Sequence, residues 1–187
     1  MIKHLELPLE RKLYFTKQVD QSSIAELTKS LIEINDSDEK LIKMYDIYGL
    51  NYKPEPIEIY IDSYGGNVYQ CFGLLSLMKN SKTPIHTIVT GCAMSCGFMI
   101  LISGHKRFAY EYSTALYHQV SSGVWGKLKD MQEDLAETER LQSIIASITL
   151  QKTKITAKRL KKAFTGKQDW FISSEDCLKL GVVDEIL

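Results

Sequence analysis

The chain has 187 residues, 44% apolar and 25% charged, the balance of one soluble globular domain. Lys plus Arg and Asp plus Glu each total 23, so the formal net charge is zero and the basic excess of a dedicated nucleic-acid binder is missing. A neutral surface gives copies little mutual repulsion, and about 70% of the unfolded surface of such a chain can be buried without a disulfide or metal staple.

Lys12–Thr16 is rich in strand formers, and Ser23-Ile-Ala-Glu26 has capping-box spacing ahead of Ile24, Leu27, Leu31 and Ile34 at helical period. Asn35–Pro56 is polar, charged and closed by proline, and is predicted as a loop or short insertion. Ile57–Ile61 reads as a second strand running into Asp62-Ser63-Tyr64-Gly65-Gly66, with a helix over Val68–Met78. Ile85–Thr90 is a third strand, and a turn over Gly91–Met94 leads to a helix starting near Ser95. Thr83–Gly104 lacks any Asp, Glu, Lys or Arg, but Pro84, Gly91 and Gly97 interrupt it, so it reads as buried strand, turn and helix and not as a membrane span. Short strands follow at Arg107–Tyr110 and Thr114–Tyr117.

Lys127–Lys154 has no Gly or Pro and repeats apolar residues from Leu128 to Ile148, which predicts one helix about 40 Å long. A helix of that length on so small a protein is expected to project and pack on a partner. Thr156–Phe164 reads as a basic helix and Trp170–Ile172 as a strand; Ser173 and Asp176 open a last helix that Gly181 ends. Strands alternating with helices predict an α/β fold with a largely parallel sheet.

The cysteines, Cys71, Cys92, Cys96 and Cys177, form no CxxC pair, which disfavours a zinc site or thioredoxin motif and favours small buried hydrophobes in a reducing compartment. Cys92 and Cys96 share a face only if one helix runs through both. Met1–Pro8 lacks the apolar region of a secretory signal, so a cytoplasmic setting without a membrane partner is expected.

Two strand-to-helix turns could carry chemistry. Gly65-Gly66 permits positive φ and exposes amides able to meet an oxyanion, although a tight turn needing glycine explains it equally well. Neither Walker spacing nor GxGxxG is present, so a phosphate loop is disfavoured. Gly91-Cys92-Ala93-Met94-Ser95-Cys96-Gly97 sets Ser95 at the start of a helix after a buried strand, either as a nucleophile at an elbow or as an ordinary N-cap. A nucleophilic serine needs a base, and the histidines are His4, His86, His105 and His118. His118, where a strand emerges into a loop, is modestly favoured. The orienting acid is undetermined among 23 carboxylates.

Asp62–Gly66, Gly91–Gly97 and Tyr117-His118-Gln119 occur in that order, before a long helix, Asp169-Trp170-Phe171-Ile172-Ser173-Ser174-Glu175-Asp176 and Gly181-Val182-Val183-Asp184. This set resembles the ClpP family, the proteolytic subunits of the Clp proteases, from about Leu9 to Leu187. The resemblance implies a crotonase-like spiral of ββα units in a single domain over residues 1–187. Its head would span about 9–124 and 165–187, and its projecting handle helix about 125–164. It implies a serine endopeptidase with Ser95 as nucleophile, His118 as base, Asp169 as orienting acid, and the Gly66 and Cys96 amides as oxyanion hole. It also implies stacked heptameric rings (a tetradecamer) that receive unfolded polypeptides from an AAA+ unfoldase. ATP would be used by that partner, and no cofactor or metal would be bound by this chain.

Three departures from the family pattern stand out. Tyr64 and Val120 replace two prolines, Asn35–Pro56 is longer than the family's connection, and about ten residues precede the first strand where a longer axial-pore segment is expected. Two other readings stay open: a catalytically silent ring subunit, and a crotonase-type acyl-CoA enzyme using the same two amides.

Overall fold

The computed structural model describes residues 9–166 and 169–187; His4 and the Met1–Pro8 stretch lie outside them. β1 (Lys12–Phe15), β2 (Ile57–Ser63), β3 (Ile85–Met94) and β4 (Lys106–Ala109) pair in parallel in that order. β2 alternates between the core and half-exposed positions, with Ile57, Ile59 and Ile61 fully buried. β3 is the trunk of the sheet. Its first half, His86–Val89, pairs with β4, and its last three residues, Cys92–Met94, pair with β5 (Thr114–Tyr117). β6 (Trp170–Ser173) then adds to β5 antiparallel, so the sheet forks near Gly91. Strand and helix units wind around this fork in the crotonase-like manner, with the buried α3 (Cys96–Ile102) packed on the trunk and α2 (Val68–Asn80) packed on α3.

The expected elements from residue 57 on are present, except that Gly91–Met94, expected as a turn, continues β3 because Cys92–Met94 pair with β5. The structure adds β7 (Glu185–Ile186), a two-residue strand on β4 too short to leave a periodic signal. The cysteines are all free and buried. Cys92 lies on β3 and Cys96 on α3, so no common helical face joins them. Among the described residues no helix is long and apolar enough to cross a membrane.

The first helix departs from expectation at both ends. α1 spans Gln21–Ile47, capped by Asp20, whose carboxylate accepts from the Ser23 amide at 2.9 Å while the Ser23 hydroxyl accepts from the Asp20 amide. Ser23 is therefore the third helical residue of the box and not its opener, because Asp20 takes the cap one turn earlier. At the other end, residues 35–47, expected as loop, continue the helix. The buried stripe Leu27, Leu31, Ile34 carries on to Asp38 in helical register. Asp38 holds a core position, its side chain 1% exposed, because Arg11 pairs with it at 2.5 Å and the Thr83 hydroxyl donates to it at 2.6 Å. The Asn35 side-chain oxygen Oδ1 likewise accepts from the backbone amides of Lys82 and Thr83. Only residues 48–56 form the connection to β2.

α4 (Leu128–Lys152) is the long helix, 25 residues and about 38 Å at 1.5 Å per residue. Its second half buries Leu141, Ile145 and Thr149 against the body, whereas Leu128, Met131 and Leu135 of its first half are exposed. The Tyr69 hydroxyl of α2 donates to Glu137 at 2.7 Å, and the Arg140 hydrogen bonds, helped by that one, draw the Glu137 carboxyl down to about 2. α5 (Ala157–Thr165) and α6 (Ser174–Lys179) complete the chain, α6 capped by Ser173 as expected.

Candidate active site

The glycine turn after β2 and the serine turn after β3 are built against each other. The Ser63 hydroxyl donates to the Lys17 carbonyl at 2.6 Å and accepts from the Gly65 amide at 3.2 Å. Val19, between β1 and α1, clamps the turn on either side of Gly66: its amide donates to Gly65 O and its carbonyl accepts from Asn67 N, both at 2.8 Å. Gly65 has φ +94, and a Cβ there would stand 2.6 Å from the Met94 carbonyl oxygen and 2.7 Å from Cβ of Ser95. Gly66 has φ +149, and a Cβ would run into the Val19 carbonyl. Only glycine permits both the backbone path and this closeness to Ser95.

Ser95 occupies the N-cap position of α3 at φ 54 and ψ −118, the only non-glycine residue with positive φ among the described residues. Its hydroxyl makes no capping bond, which answers the sequence ambiguity: the side chain is not an ordinary helix cap. The conformation is imposed from behind, since the Ser95 amide donates to the Leu116 carbonyl of β5 at 2.9 Å and its carbonyl accepts from Met99 N at 3.2 Å. A side chain held in so sparsely populated a region marks a position where the surroundings over-determine the backbone.

The amides of Gly66 and Cys96 have no hydrogen-bond partner among the described residues. The Cys96 thiol meanwhile donates to the Gly66 carbonyl at 3.2 Å, tying the two turns together. Two unengaged N–H groups on adjoining turns beside a serine hydroxyl can stabilise a developing oxyanion.

The histidines separate by environment. His105 Nδ1 accepts from the Ile85 amide at 3.0 Å, a structural tie. His86 is half-buried with its ring 5.7 Å from that of Phe108, and burial, then the Lys106 charge, lowers its pKa. His118, one residue past β5, lines a small pocket with Ser95, Gly66, Cys96, Met99 and Ile145. The β5–β6 register pairs Tyr117 with Trp170, and continuing it by one residue sets His118 opposite Asp169. Both line a second pocket beside the first. No hydrogen bond joins Ser95 to His118 or His118 to Asp169 among the described residues, so the three are neighbours and not a bonded relay. Three contributors escaped the sequence reading: the Val19 clamp, the Cys96 thiol, and Gln142 on α4, which bonds to residues on both sides of His118. Val19 and Gln142 act through backbone groups or short polar contacts that leave no pattern in a chain of letters.

A forked parallel sheet wound by strand–helix units, with a strained serine turn packed on a glycine turn, defines a crotonase-like α/β protein. The chain belongs to the Clp protease family, whose model, described as Clp protease, matches residues 4–187. It is also similar to the ATP-dependent Clp protease proteolytic subunit of Deinococcus radiodurans, with 31% identity over 135 residues. That match spans 71% of this chain and 65% of the relative's length.

Proposed function

We propose that this chain is a serine endopeptidase, the proteolytic subunit of a cytoplasmic Clp-type assembly that cuts unfolded polypeptides. The observation that carries the reading is Ser95: a strained residue with an uncapped hydroxyl, beside two unengaged amides and a histidine. The family match and the name of the Deinococcus relative support it.

In this reading Ser95 Oγ attacks the scissile carbonyl and His118 takes its proton, returning it to the leaving amine. A water, deprotonated by the same imidazole, then releases the acyl group and restores the serine. The Gly66 and Cys96 amides hold the tetrahedral oxyanion, and Asp169 orients the imidazole and stabilises its charged form. These steps call on no cofactor from this chain; ATP belongs to an unfoldase partner. The exposed apolar first half of α4 suits a handle that joins copies, with head about 9–124 and 165–187 and handle about 125–164, in stacked heptameric rings. No specific observation favours a silent ring subunit or an acyl-CoA enzyme.

A fluorophosphonate probe is expected to label the assembled protein at Ser95, located by peptide mass spectrometry. Assembled protein that stays unlabelled, or carries the label elsewhere, overturns the proposal. With histidine as base, peptide hydrolysis should fall as pH is lowered from about 8 to about 5, the range in which histidine takes up its proton. A flat rate profile over that range, with assembly intact by sedimentation, removes His118 from the role.

A further inference from the structure

β5 ends at Tyr117, so His118 has left the sheet's hydrogen-bond ladder, and residues 121–127 beyond it are exposed coil. One side chain of α4 spans this exit. Gln142 accepts from the Val120 amide through Oε1 at 2.8 Å, and its Nε2 donates to the Tyr117 hydroxyl at 3.2 Å. The contacts fall on the residue before His118 and the second residue after it. Tyr117 is buried, with its ring edge-on to Phe98 at 5.7 Å, and Phe98 lies on α3 three residues after Ser95. The other ties of the exit are the Gln119 side chain to the Phe164 carbonyl and, farther out, Ser122 to Asp134. Among the described residues Gln142 is the side chain that hydrogen-bonds on both flanks of the histidine, and through Tyr117 and Phe98 it couples them to the helix that presents the serine.

We propose that Gln142 is a positioning residue for His118: its amide brackets the chain at 117 and 120 and fixes where the imidazole stands relative to Ser95. The inference rests on the reading of His118 as base. The physical basis is that a backbone leaving its sheet keeps two soft dihedrals per residue unless its polar groups are engaged. Misplacement of a catalytic group by about 1 Å lowers rates by up to about 100-fold. A glutamine suits the task because one planar amide offers an acceptor to the backbone N–H and a donor to the phenol.

The test is steady-state hydrolysis of a fluorogenic peptide by assembled protein carrying Gln142→Leu, Gln142→Glu, Tyr117→Phe or Gln142→Leu with Tyr117→Phe. Gln142→Leu, close in size and without hydrogen-bonding atoms, is expected to lower kcat about tenfold or more with KM held within about twofold. Gln142→Glu keeps an acceptor for Val120 and lets the Tyr117 hydroxyl donate, so it should recover most of kcat. Tyr117→Phe should lose about threefold, and the double variant should be no slower than Gln142→Leu, since both act through one bracket. Tyr117→Phe removes a single oxygen and carries the test by itself if Gln142→Leu does not assemble. Native kcat in Gln142→Leu, or losses that multiply in the double variant, overturns the inference, provided His118→Ala is inactive. Native activity in His118→Ala would instead overturn the base assignment beneath it.

Discussion

Ser95→Ala is expected to lower peptide hydrolysis by about 10⁴-fold or more with no loss of thermal stability, and Ser95→Gly to be equally inactive yet more stable than either. The two variants separate what the residue does from what it costs the fold. At φ 54 and ψ −118 any side chain is strained, by about 1–3 kcal/mol, so alanine inherits the penalty that serine bears. Glycine does not, and Ser95→Gly should melt higher, its added chain entropy when unfolded taking back part of the gain. Calorimetric melting together with turnover of a fluorogenic peptide reads both effects. A glycine variant less stable than the alanine variant would show that the backbone there is relaxed. Either variant retaining native turnover would remove Ser95 as nucleophile.

Asp38→Ala should destabilise the fold by about 3 kcal/mol, the low end of the cost of breaking a buried ion pair, because Arg11 keeps 21% of its side chain exposed. Arg11 would keep the Glu55 carbonyl but lose its carboxylate partner, and the Thr83 hydroxyl, which donates to Asp38 at 2.6 Å, would lose its acceptor. Burial by itself would push the Asp38 carboxyl up, but hydrogen bonds from Arg11, Thr83 and Tyr52 and the Arg11 charge outweigh it, holding the carboxyl below its ordinary value. A group whose pKa is depressed by folding adds stability that is complete above the unfolded value, near 3.9 for aspartate in general, and disappears as pH falls through the lower folded value. The stability gap between the native chain and Asp38→Asn, measured by urea unfolding, should therefore be open at neutral pH and narrow progressively below about pH 4. An equal gap at neutral and strongly acid pH would refute the assignment.

That same carboxylate shows why part of the fold was illegible in the letters alone. Asn35, Asp36, Asp38 and Glu39 made the end of α1 read as solvated loop, because composition records polarity without recording partners. The partners, Arg11 and Thr83, lie 27 and 45 residues away. By contrast β2, the first part of β3 and α4 were plain: alternation in the first, an uncharged run in the second, and a Gly- and Pro-free period in the third need no distant information, whereas Cys92–Met94 are strand through their pairing with β5. The serine and glycine turns were visible as candidate sites but ambiguous in role, and φ at Ser95 with its uncapped hydroxyl sets aside only the ordinary-cap reading. Asp169 could not be singled out from its surroundings in sequence; only the family resemblance pointed to it, and strand register then set it opposite His118. Gln142 looked like any other polar residue on a long helix.

The register that sets Asp169 opposite His118 also sets how the site can come apart. Ser95 and the Cys96 amide follow β3, which pairs with β2, β4 and β5, and the Gly66 amide follows β2, itself held between β1 and β3, whereas β6 pairs with β5 alone and ends the sheet there. Detaching an end strand breaks one ladder, while moving the trunk breaks three. The acid of the proposed triad is thus the member most cheaply withdrawn. On that reading, peeling the four-residue ribbon β6 would withdraw the acid while leaving Ser95 and the Gly66 and Cys96 amides in place.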